Sequence, residues 1–259
     1  LSPTSTALLT AGVAVVTLMV LTWLLSLAKR NASIVDIAWG LGFVIVAWSI
    51  RMRLPHPDVR SAVLVGMTTI WGLRLAGYLY LRNHGKGEDF RYRAMRKKYG
   101  SRFAFVSLGT VFAVQGLLMW IVSLPIQLGQ TRHTSLGPLT WIGLVVWLVG
   151  LGFEGVGDYQ LARFKRDPTN QGSVMDIGLW RYTRHPNYFG DACVWWGIAL
   201  VAAESGIGAV GIIGATVMTV LLRRVSGVTL LEKSLVKRRP GYTEYVQRTS
   251  PFVPRPPRR

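Results

Sequence analysis

Apolar residues fall along this chain in long blocks separated by short charged stretches. Residues 7–28 carry no charge, and neither do 103–128, 139–153 or 205–222. The stretches 34–50, 61–81 and 188–203 match them except for one ionisable residue each: Asp36, Arg74 and Asp191. Crossing the hydrocarbon core takes roughly 20 mostly apolar residues. The pattern therefore predicts an all-α, polytopic membrane bundle of seven transmembrane helices, at about 7–28, 34–50, 61–81, 103–128, 139–158, 188–203 and 205–222. The second and sixth are short, as tilted helices or helices that outrun their apolar part would be. Residues 223–259 are expected as a cytoplasmic amphipathic segment, and 1–259 as one integral membrane domain. The first block lacks a basic n-region, and its positive charge (Lys29, Arg30) follows rather than precedes it. It reads as a retained helix, not a signal peptide.

Charge sharpens this picture. The formal net charge is +18, which in a soluble protein would point to nucleic acid. With seven spans and the N-terminus outside, segments 29–33, 82–102, 154–187 and 223–259 face the cytoplasm. They hold 25 of the 30 Lys and Arg residues, against four in the outside loops. That is the positive-inside asymmetry, so topology and anionic headgroups account for the charge and no nucleic-acid partner is expected. The single cysteine, Cys193, excludes an intramolecular disulfide and reads as a packing residue. Four scattered histidines have no metal-ligand spacing, so no metal is expected.

Four places carry candidate chemistry. The densest is 178–191, GLWRYTRHPNYFGD. Pro186 suits the first turn of a helix, which puts Arg184, His185 and Asn187 at a cytoplasmic helix N-terminus suited to an anion. Arg181 and Arg184 add charge there; Trp180, Tyr182 and Tyr188 add stacking surfaces. An interfacial belt explains Arg, Trp and Tyr, but not a compact His-Pro-Asn-Tyr opening a helix that carries Asp191. The second place is GFEGVGDYQLARFKRD, where Glu154, Asp158 and Lys165 share one helical face. Third is the C-terminal segment with Arg223, Arg224, Glu232, Tyr242 and Tyr245; Lys233 through Arg239 read as a surface helix on anionic lipid. Fourth is Asp36 in SIVDIAWGLGF, an intramembrane carboxylate and so a functional candidate. An ion pair with Arg74 is the structural alternative. Gly40 and Gly42 let helices approach closely, and RNHGKGEDFRYR reads as an ordered loop with internal ion pairs around Glu88 and Asp89.

GLWRYTRHPNYFGD, the upstream DYQLARFK and the downstream LLE…RPGYTEY…PFVP together resemble the steroid 5-alpha-reductase C-terminal domain family. The pattern is most like its bacterial branch, to which DIAWG and RNHGKGEDFRY are also similar, and the likeness covers about 31 to 254. It implies a membrane reductase of the bacterial inner membrane. NADPH would enter from the cytoplasm and a hydride would pass to an activated C=C bond of a lipid-soluble substrate held among the early helices. Carried over, the resemblance puts Asp158, Lys165, Trp180, Tyr182, His185, Asn187, Tyr188, Asp191 and Arg224 around NADPH, with Glu232, Tyr242 and Tyr245 closing over it. The Gln-Glu pair that polarises the enone in steroid-reducing members has no counterpart here; Asp36 is the nearest carboxylate and Tyr78 the candidate phenol. More distantly, isoprenylcysteine and phospholipid methyltransferases share an RHPxY segment and imply S-adenosylmethionine instead. Phosphates call for Arg and Lys, a sulfonium for aromatic faces and carboxylates. A non-catalytic lipid-binding protein on the same fold is the third alternative.

Overall fold

The computed structural model describes residues 1–54, 58–225, 228, 232, 235 and 239–258. Its elements are helical: α1 (Pro3–Ala28), α2 (Ile34–Arg53), α3 (Val59–Asn83), α4 (Phe90–Tyr99), α5 (Phe103–Ser107), α6 (Val114–Val122), α7 (Leu124–Gly129), α8 (Pro138–Arg166), α9 (Pro186–Ala203), α10 (Ile212–Val220) and α11 (Tyr242–Arg248). Two π-helical turns, Leu108–Ala113 and Leu221–Val225, interrupt the series. The all-α architecture is the one expected from the apolar blocks.

Among the described residues, six helical stretches are long and apolar enough to cross a bilayer: Pro3–Ala28, Ile34–Arg53, Val59–Asn83, Phe90–Val122, Pro138–Arg166 and Ile207–Arg224. The chain is an integral membrane protein. By length and composition, six of the seven expected spans qualify among the described residues. The stretch expected at 188–203 does form a helix, α9, of 18 residues, but its opening PNYFGD is too polar. The span expected at 103–128 is revised. Its helix ends at Val122, and a short α7 restarts beyond Ser123. Pro125 has no N–H to give the preceding turn, and Gln127 Nε2 instead donates to Trp120 O at 2.6 Å and Ser123 Oγ at 2.7 Å. The surface helix expected for 233–239 lies outside the described residues, apart from Leu235 and Arg239.

The chain divides into two compact units. The first comprises residues 1–141 and 198–214. In α1 the buried positions Ala7, Ala11, Val15, Met19, Thr22 and Ser26 form one stripe. Val13, Val16, Leu21 and Leu24 on its other faces are exposed, a surface that lipid rather than water satisfies. Trp120 Nε1 donates to Leu8 O and Trp23 Nε1 to Ala104 O, at 3.1 and 3.0 Å, tying both ends of α1 to the 103–122 helix. Between α2 and α3 the backbones touch: a Cβ on Gly40 would lie 2.6 Å from Gly72 O, and one on Gly72 the same distance from Gly40 O. Gly42 makes room for Met119. Both glycines were expected to serve close approach.

The second unit comprises residues 142–197 and 215–259. Here α8 and α9 run against each other on glycines spaced by seven. Gly143 meets Gly197, Gly150 meets Gly190, and Gly157 meets Pro186, each within 3.2 Å of where a Cβ would stand. Small residues at this spacing allow backbone contact where the hydrophobic effect offers no help. The contact fixes the start of α9 beside the middle of α8, and that positions the site.

Candidate functional site

Pro186 opens α9, and the loop before it is held by the C-terminal segment. Thr183 pairs with Ser250 in an isolated parallel bridge. Its hydroxyl donates to Phe252 O at 2.8 Å, and Arg184 N donates to Ser250 O at 2.9 Å. The Arg184 side chain, 6% exposed, is the hub. Its Nε and Nη2 donate to the two oxygens of Glu232 at 2.7 and 3.1 Å, while Nη1 donates to Val246 O at 3.0 Å and to Thr249 O. His185 Nε2 lies 3.1 Å from Glu232 Oε1. A planar guanidinium meets a carboxylate edge-on in this way, and such paired charge-assisted bonds are strong. Burial pushes the Glu232 pKa up, but the bonds from His185 and Arg184 outweigh it and hold the group below its ordinary value.

Below this clamp the aromatic residues are packed rather than splayed. Tyr245, buried, donates its hydroxyl to Trp180 O, and Trp180 Nε1 donates to Gly157 O at 3.1 Å. Tyr242 stands edge-on to Tyr245 at 5.7 Å. Burial, with the Glu232 charge nearby, pushes the Tyr242 phenol up to about 12, so it stays protonated at neutral pH. Gln160 Oε1 accepts from Leu179 N at 3.0 Å, and Arg248 pairs with Asp176 at 2.5 Å.

The start of α9 meets the polar face of α8. Asn187 Nδ2 donates to Asp158 Oδ1 at 3.2 Å, and Asn187 Oδ1 accepts from Tyr188 N at 3.1 Å. The rings of His185 and Tyr188 stack at 5.4 Å with 3° between planes. Asp158 and Glu154 are buried one turn apart on α8, while Lys165 at its far end is exposed, as are Tyr182 and Arg224. Arg223 lies over Phe252 at 5.4 Å.

Twelve of the residues expected around a cofactor thus belong to the second unit: Asp158, Lys165, Trp180, Tyr182, His185, Asn187, Tyr188, Asp191, Arg224, Glu232, Tyr242 and Tyr245. Asp36 and Tyr78 belong to the first. Arg184, expected to offer charge to an anion, has its donors engaged by Glu232 and two carbonyls; it is a clamp. Sequence reasoning did not find Thr183, Gln160 or Phe252. Their partners are mostly backbone groups, which leave no residue-type signal.

In the first unit, Asp36 accepts from Arg91 Nη2 and from the Tyr92 hydroxyl, both at 2.9 Å. The loop before α4 is ordered by internal ion pairs, as its sequence predicts. Glu88 takes Arg96 at 2.8 Å and 3.0 Å and the Ala32 amide at 2.8 Å, and Asp89 takes Arg91 Nε at 2.9 Å. Burial raises the Glu88 pKa, but the Arg96 and Ala32 bonds bring it below the ordinary value.

The two units describe a helical membrane protein whose C-terminal segment is clamped onto the start of an internal helix. The chain belongs to the family described as protein of unknown function (DUF1295), whose model matches residues 22–249. It is similar to uncharacterized protein C594.04c of Schizosaccharomyces pombe, at 23% identity over 278 residues, covering 90% of this chain and 75% of that protein. No solved structure matches it.

Proposed function

We propose that this chain is a membrane reductase of the steroid 5-alpha-reductase kind, binding NADPH on its second unit and reducing a C=C bond of a lipid-soluble substrate. The observation that carries the reading is the Asp158–Asn187 contact beside the His185–Tyr188 stack, with the Arg184–Glu232 clamp holding the C-terminal segment over the same loop. The donor chemistry fits the dinucleotide. Exposed Arg224 and Lys165 suit its phosphates, and Asp158 and Asn187 suit its hydroxyls and amide. When bound, NADPH supplies a hydride; the chain's residues orient it and exclude water. Tyr188 and the exposed Tyr182 offer ring faces, and the C-terminal tyrosines wall the loop. On the substrate side, Asp36 and Tyr78 are the candidates to polarise or protonate the acceptor. The resemblance and the basic asymmetry together support a bacterial inner membrane with the N-terminus outside and the C-terminus in the cytoplasm, an orientation that needs α9 as a seventh crossing.

The test is NADPH binding to the purified full chain. Arg224→Ala and Asn187→Ala should each weaken it by roughly ten- to hundredfold, the loss of one charge-assisted bond, with the melting temperature kept. Asp36→Asn should leave that affinity intact and lower turnover. Wild-type protein that binds S-adenosylmethionine and ignores NADPH would move the chain to the methyltransferase class. Binding neither would leave a lipid-binding role.

A further inference from the structure

A cleft of about 530 Å³ opens in the first unit, lined among others by Leu25, Lys29, Ser33, Ile37, Tyr80 and His84. These six fall into three pairs, each four residues apart on one helix or its end: Leu25 and Lys29 on α1, Ile37 and Ser33 on α2, Tyr80 and His84 on α3. Four residues rise about 6 Å. On every helix the apolar or aromatic member lies inside the span and the polar member at its end, so the lining is stratified: an apolar layer, then a polar one a helical turn further out.

The polar layer offers donors. Asn31 and Asn83 also line it, and their acceptors are already engaged. Asn31 Oδ1 takes the Ser33 amide at 2.9 Å, and Asn83 Oδ1 takes Arg82 Nε at 3.2 Å. Ser33 Oγ accepts from the Asp89 amide at 2.6 Å. What remains for a ligand is the two carboxamide NH2 groups, the Ser33 hydroxyl hydrogen, the Lys29 ammonium and the His84 ring N–H. Ser33 also begins α2, whose positive end favours an anion. The nearby carboxylates do not oppose one: Asp36 and Asp89 are paired with Arg91, and Glu88 with Arg96. Gly85 and Gly87, at φ 74° and 73°, line the cleft without side chains to fill it.

We propose that this cleft is a binding site for one anionic phospholipid, its phosphate in the donor layer and its acyl chain against Leu25, Ile37 and Tyr80. The site is separate from the NADPH reading, which lies on the other unit's residues. Native mass spectrometry of the full chain, reconstituted in phosphatidylcholine vesicles doped with phosphatidylglycerol, counts the lipid retained. One phosphatidylglycerol per chain is expected in preference to phosphatidylcholine. Lys29→Gln should lower its occupancy about tenfold, the scale of a lost charge-assisted contact, and His84→Ala should lower it less. Ile37→Trp should fill the apolar layer and displace the lipid with all charges kept. Lys97→Gln, which removes the same charge from exposed α4, should leave occupancy unchanged. Equal loss in Lys29→Gln and Lys97→Gln would reduce the effect to diffuse surface charge and overturn the site. Displacement of the lipid by dissolved glycerol 3-phosphate would also overturn it, since the apolar layer would then contribute nothing.

Discussion

Two carboxylates among the described residues are each held by both oxygens on the Nε–Nη2 edge of an arginine, Glu88 by Arg96 and Glu232 by Arg184, and they differ in reach. Eight residues separate the first pair and 48 the second. The Arg96 side chain is 33% exposed and lies over Phe103 at 4.2 Å, whereas the Arg184 side chain is 6% exposed. Similar chemistry therefore does different work. The near pair joins one loop to the helix that follows it; its arginine is within water's reach though Glu88 is 6% exposed, and such a half-open pair contributes about 0–1 kcal/mol. The far pair fastens a segment to a distant loop, and removing Glu232 leaves the Arg184 charge buried without compensation, at a cost of about 3–5 kcal/mol.

The largest expected effect is at the far pair. Arg184→Ala should destabilise the clamp by about 3–5 kcal/mol, because it removes both of its bonds to Glu232, leaving that group only His185, and strands the carbonyls of Val246 and Thr249. Amide exchange across 239–252 in the intact protein should accelerate while α1–α3 keep their protection. Unchanged exchange there would erase the contrast between the two pairs. Acid should reproduce the effect. The folded pKa of Glu232 is below its ordinary 4.5, so its contribution is complete above the unfolded value and is lost as pH falls through the folded one. A C-terminal segment that loosens on raising the pH from neutral would contradict that sign.

A middling effect is expected at Glu88→Gln. The carboxamide still accepts from the Ala32 amide but loses the charge that Arg96 faces, a change of about 1–2 kcal/mol. Amide exchange at Ala32 is the measurement; a loss as large as at Arg184 would mean the near pair is not merely local. The smallest effect should come from Arg91→Ala. This side chain is 42% exposed although it bridges Asp36 and Asp89. Under about 1 kcal/mol is expected from thermal unfolding, and Asp36 keeps its bond from Tyr92.

These pairs also mark what a sequence can and cannot disclose. The near one was legible, because Glu88, Asp89, Arg91 and Arg96 stand within one short run and opposite charges at such separations meet through local turns. The far one was half legible. Glu232 and the RHPN segment were picked out by residue type, but the role of Arg184 depends on carbonyls, which every residue possesses. Asp36 illustrates the same limit: Arg74 stands out because it lies within a span, but nothing in residue type announces that Arg91 and Tyr92, at the start of α4, reach the same carboxylate. Apolar blocks placed the helices, since lipid imposes length and composition directly. They are least decisive where composition is ambiguous, at the polar start of α9 and at Pro125. The pairing of Gly150 with Gly190 was invisible for another reason: glycine marks close approach without naming the partner.

The π-helical turn at Leu108–Ala113 acts as a phase shifter. Such a turn holds one residue more than the regular helix around it, and one residue is worth about 100° of rotation about the axis. Every side chain of α6 is therefore turned by more than a quarter of a circle from where α5 alone would have aimed it, Met119 and Trp120 among them. Indels here act as a rotary dial: deleting one residue would re-aim α6 without altering a single side chain in it.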